Sequence, residues 1–218
     1  APPRAVAPPP PVARPAAFTS HPRSTVAEAV GAFVTVFHSP DGGEAVRTLP
    51  NPQRSGAPLV LLVLEQYDGW LHVLLPERPN GSTGWVRAEE VTVSEHTYSI
   101  VIELGAHQLT VFDGQQVVLN EVIAVGTANT PTPGGLYYIK ELIQPTNAGY
   151  GPYAYGLSGF SEVLGSFGGG DGALGIHGTD DPSSLGRDVS HGCIRMSNAG
   201  ITTLAGMLPL GVPVQVRA

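Results

Sequence analysis

Apolar residues in this chain come in runs of four to six, with turn-forming residues between them. Val34-Thr35-Val36-Phe37, Leu59 to Leu64, Trp70 to Leu74 and Gly84-Trp85-Val86-Arg87 are separated by signals such as Asp41-Gly42-Gly43 and Pro79-Asn80-Gly81. Runs this short predict strands, because glycine and asparagine supply the positive φ that tight hairpin turns need. The pattern resumes at Ser99–Leu104 and Gln108–Phe112, and Asp113-Gly114 turns the chain into Gln116–Leu119 and Val122–Val125, predicting a meander. Composition agrees: 28 glycines and 21 prolines among 218 residues leave little room for long helices. One helix is expected from Asn198 to Leu208, capped by Ser197 and ended by Pro209 and Gly211, before a last strand Val212–Val216. The expected fold is mainly β: a small barrel, then a mixed, mostly β sandwich with one or two short helices.

Three parts are legible. Residues 1–25, with Pro8-Pro9-Pro10-Pro11, read as a proline-rich tail or linker, a semi-rigid spacer that seldom folds alone. Residues 26–95 are the expected barrel and 96–218 the second domain, with Ser94-Glu95-His96 a polar junction between them. No run of about 18 apolar residues exists, so no transmembrane segment is expected. No signal peptide is expected either, and Ala1-Pro2-Pro3-Arg4 reads as a processed start. A formal charge of −7 and a single lysine, Lys140, argue against nucleic acid as a partner, which demands a basic face.

The chemistry centres on Cys193, the only cysteine, in Ser190-His191-Gly192-Cys193-Ile194-Arg195. It has no partner for an intramolecular disulfide and no second sulfur to complete a zinc cage. A free thiol has a pKa near ~8.5 and needs help to attack at neutral pH. His177 and His191, 16 and 2 residues upstream, can provide it. His177 is the expected general acid and base, its other nitrogen held by a main-chain carbonyl that Gly178 leaves room for. The amides of Gly192 and Cys193 are expected to meet an oxyanion. The plain alternative is an inert thiol beside two loop histidines.

These residues carry a resemblance. Ile176-His177-Gly178-Thr179, a loop through Asp181-Pro182-Ser183-Ser184-Leu185-Gly186, then Ser190-His191-Gly192-Cys193-Ile194-Arg195-Met196-Ser197-Asn198 resembles the L,D-transpeptidase (YkuD-type) signature. Val125-Gly126-Thr127 with Thr130-Pro131-Thr132-Pro133, and Gly151-Pro152-Tyr153-Ala154-Tyr155-Gly156-Leu157, resemble two further stretches of that family. The likeness runs from about Tyr98 to Val216. Asp68-Gly69-Trp70-Leu71-His72-Val73 with Gly84-Trp85-Val86 is similar to the bacterial SH3-like wall domain, although Trp70 and Trp85 read first as core or hairpin packing. The resemblance implies an extracytoplasmic, secreted enzyme that joins peptidoglycan stem peptides. Cys193 would form a thioester with release of D-alanine, an amine would capture it as a 3→3 cross-link, and carbapenems would acylate the same sulfur. No cofactor and no metal are implied, and the enzyme would act as a monomer.

Other positions have lesser roles in this expectation. His191 is assigned an orienting or oxyanion-side role. Tyr153 and Tyr155 are candidates for a donor cleft on a flap, Gly178 and Ser190 for substrate contact, and Arg195 for a substrate carboxylate. Asp180, Asp181 and Asp188 read as solvated loop carboxylates, and Gly168-Gly169-Gly170 as a loop tip. The rival functions are an L,D-carboxypeptidase or another hydrolase on the same stems, a papain-like wall endopeptidase, and a non-enzymatic wall-binding module. If the barrel only positions the enzyme, a chain starting near His96 should fold.

Overall fold

The computed structural model describes residues 23–166 and 171–218. The tail up to residue 22 and Gly168-Gly169-Gly170 lie outside the described residues.

The first half is one antiparallel sheet. Its strands are β1 (Ser24–Ala29), β2 (Phe33–Phe37), β3 (Ala45–Pro50), β4 (Val60–Tyr67), β5 (Trp70–Leu74), β6 (Thr83–Arg87) and β7 (Val91–His96). They are ordered β3-β2-β6-β5-β4-β1-β7. Alternate residues point to one side, so Ala27, Val34, Val36, Leu61, Leu71, Val73, Val86 and Val91 share a single core around which the sheet curls. Trp70 and Trp85 stand outside that core. Trp70 meets Phe37 edge-on at 5.1 Å, with the Arg87 guanidinium 4.8 Å above its ring, and Trp85 stacks on His72 at 4.8 Å.

The second half contains β8 (Tyr98–Glu103), β9 (Gln108–Asp113), β10 (Gln116–Val122), β11 (Val125–Gly126), β12 (Gly135–Ile143), β13 (Ala154–Phe160), β14 (Ala173–His177), β15 (Asp188–Ser190), β16 (Ile194–Arg195), α1 (Asn198–Met207) and β17 (Pro213–Arg217). Eight of these strands form one sheet, β10-β9-β8-β17-β12-β13-β14-β16, and β11 and β15 make a small parallel pair. The expected meander is β8-β9-β10, while Val125 leaves it to join β15. Strand β12 turns the corner: Gly135–Tyr138 pair with β17, and Ile139–Ile143 pair with β13 through a register shift. A strand that changes partners lets one continuous sheet cover both sides of a core. The expected sandwich is therefore a single sheet folded over on itself. Ser197 Oγ accepts the Gly200 amide at 2.9 Å, capping α1, whose Ile201 and Leu204 complete the core.

The two halves share apolar surface. Val26, Val60, Leu62 and Leu74 from the first sheet bury Tyr138 of β12, which is 0% exposed. Polar bonds frame this contact. Asn80 exchanges two bonds of 2.8 Å with the Phe160 backbone, and Arg78 donates to the carbonyls of Ser161, Leu164 and Asp171. Burying a large apolar side chain stabilises by about 1.5–3 kcal/mol, but the Tyr138 hydroxyl is buried without a hydrogen-bond partner, which offsets part of that gain.

Candidate active site

The site arises from one parallel ladder. Strands β14 and β16 pair Ile176 with Ile194 and His177 with Arg195. One step back, Cys193 comes level with Gly175, whose amide lies on the side of the sulfur and favours its ionised form. Residues two apart on a strand face the same way, so positions 175 and 177 share a side. Gly175 puts no side chain there, and His177 and Cys193 border the same cleft.

His177 is 4% exposed, and its Nδ1 lies 2.6 Å from the Gly178 carbonyl. A carbonyl only accepts, so Nδ1 carries the hydrogen and Nε2 is left as a base. Burial pushes the imidazole down to about 4, and the Arg195 charge adds to this, while the Gly178 carbonyl opposes it. Burial also pushes the Cys193 thiol up, against the Gly175 amide and the Arg195 charge. Both groups are therefore neutral near pH 7: the resting pair is thiol and imidazole. The Tyr150 ring lies 4.4 Å from the His177 ring, tilted by 41°.

The Ser190–Cys193 turn is braced by hydroxyls. Ser190 is buried; its Oγ accepts the Gly192 amide at 3.0 Å and donates to the Cys193 carbonyl at 2.6 Å. These bonds bear on two expectations. The Gly192 amide is engaged inside the turn, and the Ser190 hydroxyl is committed to shaping that turn. Gly192 is needed for its φ of +115°, closed to other residues. Thr132 Oγ1 donates to the Gly192 carbonyl at 2.8 Å, and Thr130 Oγ1 to that of Ser190 at 3.1 Å. The Thr-Pro-Thr-Pro stretch is thus a brace for the cysteine turn, a role that sequence reasoning missed.

The remaining candidates separate. Tyr155 borders the cleft, but its side chain is 0% exposed and its hydroxyl donates to the Leu204 carbonyl of α1 at 2.7 Å. Tyr153 packs against the core of the second half, and its carbonyl accepts the Gly178 amide. Gly178 serves packing, since a side chain there would overlap Asn198 Oδ1 at 2.2 Å. His191 is exposed and does not border the cleft. Arg195 is half-buried, and its charge reaches His177, Cys193 and Tyr150. Asp181 caps the Pro182–Ser184 turn and Asp188 pairs with His107 at 2.7 Å, so both carboxylates serve the loop locally.

The cleft holds about 750 Å³. Its walls include Gln53 and Arg54 from the first half, Lys140 and Glu141 from β12, and Tyr150. No sequence motif marked Tyr150 or the residue 53–54 segment; only the folded chain brings them to the sulfur.

The L,D-transpeptidase catalytic domain family (YkuD) matches residues 97–216. The YkuD protein of Bacillus subtilis (strain 168) is 38% identical over 121 residues, 55% of this chain and 66% of that protein. The YkuD protein of Bacillus licheniformis is 38% identical over 120 residues, 55% of this chain and 65% of that protein. The chain thus spans just under two thirds of the length of each. Among solved structures, the catalytic domain of the Enterococcus faecium L,D-transpeptidase is 25% identical with a TM-score of 0.42, covering 55% of this chain and 96% of that one. An L,D-transpeptidase from Mycobacterium tuberculosis H37Rv is 17% identical with a TM-score of 0.48, covering 73% and 90%.

Proposed function

The chain belongs to the L,D-transpeptidase catalytic domain family, and from that premise we propose that it is a peptidoglycan L,D-transpeptidase that forms 3→3 cross-links through a thioester on Cys193. The main support is the β14–β16 register with the cleft that both Cys193 and His177 border, where the His177 nitrogen not held by the Gly178 carbonyl is Nε2. In this reading Cys193 Sγ attacks the carbonyl that joins the L-centre of a diamino acid to a terminal D-alanine. His177 Nε2 takes the thiol proton as the S–C bond forms and returns it to the departing amine as the C–N bond breaks. The amine of a second stem then attacks the thioester and gives its proton to Nε2, and the thiol is regenerated. A neutral starting pair means that proton transfer accompanies attack, with no standing thiolate. With the Gly192 amide occupied, the amide of Cys193 is the candidate donor to the oxyanion.

The same reading makes the protein extracytoplasmic and monomeric, needing no cofactor, and makes the first sheet an SH3-like, wall-directed unit. Mass spectrometry of the enzyme with a disaccharide tetrapeptide tests it. A cross-linked dimer with loss of D-alanine is expected. A trimmed monomer alone would show a carboxypeptidase, and unchanged substrate would refute the assignment.

A further inference from the structure

The cleft is built by both halves. The segment between β3 and β4 reaches its rim and contributes Gln53, Arg54 and Ser55. This segment is braced at several points. Gln53 Nε2 donates to the Lys140 carbonyl at 2.9 Å and to that of Pro58 at 2.8 Å. The amides of Gln53 and Gly56 close the loop on Ala57 and Gln53 at 2.8 Å each. The Asn51 side chain donates to the Gly31 carbonyl at 2.8 Å and accepts from the Leu59 amide at 2.9 Å. Arg54 therefore projects from backbone whose position is already set, so only its side chain is left for a ligand to order.

The charges on the cleft wall are mostly committed. Lys140 pairs with Glu141 at 3.4 Å, and Asp171 Oδ1 accepts the amide of Ala173 at 3.2 Å. Arg54 is exposed and, among the described residues, takes part in no ion pair. An exposed guanidinium on a braced loop, beside a cleft sized for a peptide, suits a planar carboxylate, which it can grip with two parallel bonds.

We propose that Arg54 determines specificity for the acyl donor by holding a carboxylate of an acidic stem peptide while Cys193 attacks, so that both halves read the substrate. This rests on the reading of the substrate as a stem peptide. Arg54 is a binding residue distant in sequence from the reacting groups, and its effect belongs in KM, with kcat unchanged.

The test uses two donors: a stem tetrapeptide with a free carboxylate on the N-terminal side of the scissile bond, and its carboxamide twin. For Arg54→Ala, KM for the carboxylate donor should rise roughly 10-fold, the loss of one charge-assisted contact. Arg54→Glu should raise it further, and both variants should affect the carboxamide donor several-fold less. Equal effects on the two donors, or none with Arg54→Glu, would overturn the proposal. Calorimetry of both peptides on full-length Cys193→Ala protein, with and without Arg54→Glu, gives a readout independent of turnover. If the wild type processes neither donor, the transpeptidase reading fails, and calorimetry still decides Arg54. Tenfold weaker binding of the carboxylate peptide supports the proposal; equal binding, or no binding by the Arg54 parent, overturns it.

Discussion

Asn198 Oδ1 accepts the backbone amide of Thr179 at 3.0 Å, tying the first residue of α1 to the segment that leaves His177. Thr179 is 3% exposed, so its amide has no water to turn to. Asn198→Ala should cost about 1–3 kcal/mol, the usual penalty for stranding a buried donor, and should lower kcat by loosening the histidine segment. Asn198→Asp keeps an acceptor oxygen and should recover most of both. Thermal unfolding and steady-state rates check this; an unchanged Tm in the alanine variant would contradict it.

Cys193→Ala should abolish turnover and leave the fold intact, because the chain has no other thiol. A carbapenem, whose strained amide resembles the scissile bond, should add one drug mass to the wild type and none to the variant. Intact-protein mass spectrometry reads both, and an adduct on both proteins would place the reaction elsewhere.

His177→Ala should lose a factor of about 10²–10⁴ in kcat, the range of a general acid–base group. Because burial holds the imidazole down to about 4, wild-type kcat/KM should stay level from pH 7 to 5 and fall on an acid limb near 4. The sign for stability follows from the same depression. Imidazole free in the unfolded chain takes a proton near 6.5, so the contribution of His177 is complete above 6.5 and declines as pH falls towards 4. An acid limb at 6 to 7 would show that another histidine is the base.

Ser190→Ala strands the Gly192 amide and frees the Cys193 carbonyl, and should cost about 1–3 kcal/mol together with a fall in kcat. Ser190→Thr restores the hydroxyl and should recover activity. If alanine is tolerated in both measurements, the turn is held by other means.

The strands, the capped helix and the convergence of Cys193 and His177 on one cleft were readable because each has a local cause: a turn residue, a cap, or nearness along the chain. What was not readable depends on tertiary placement. Nothing local to Tyr155 says that its hydroxyl reaches Leu204, 49 residues away. The Gly192 amide seemed available until the turn folded onto the Ser190 hydroxyl. Arg54 gave no signal because it joins the cleft across the contact between the two sheets.

That contact revises the expectation for the isolated second half. A chain starting near His96 would lose Val26, Val60, Leu62 and Leu74 from around Tyr138 and lose the loop that carries Arg54. It should be poorly soluble or markedly less stable, and should fail on small soluble donors as well as on intact wall. Full-rate turnover of small donors by a soluble truncated protein would refute this.

A thiol held neutral by burial has a second consequence. Peroxides oxidise the thiolate, and the first step towards sulfenic acid slows as the thiolate fraction falls. On the proposed mechanism Cys193 keeps its proton until attack, and its oxidation by peroxide should be correspondingly slow. With no second cysteine in the chain, a sulfenic acid there would depend on an external thiol for its repair, so a slow first oxidation step would lengthen the working lifetime.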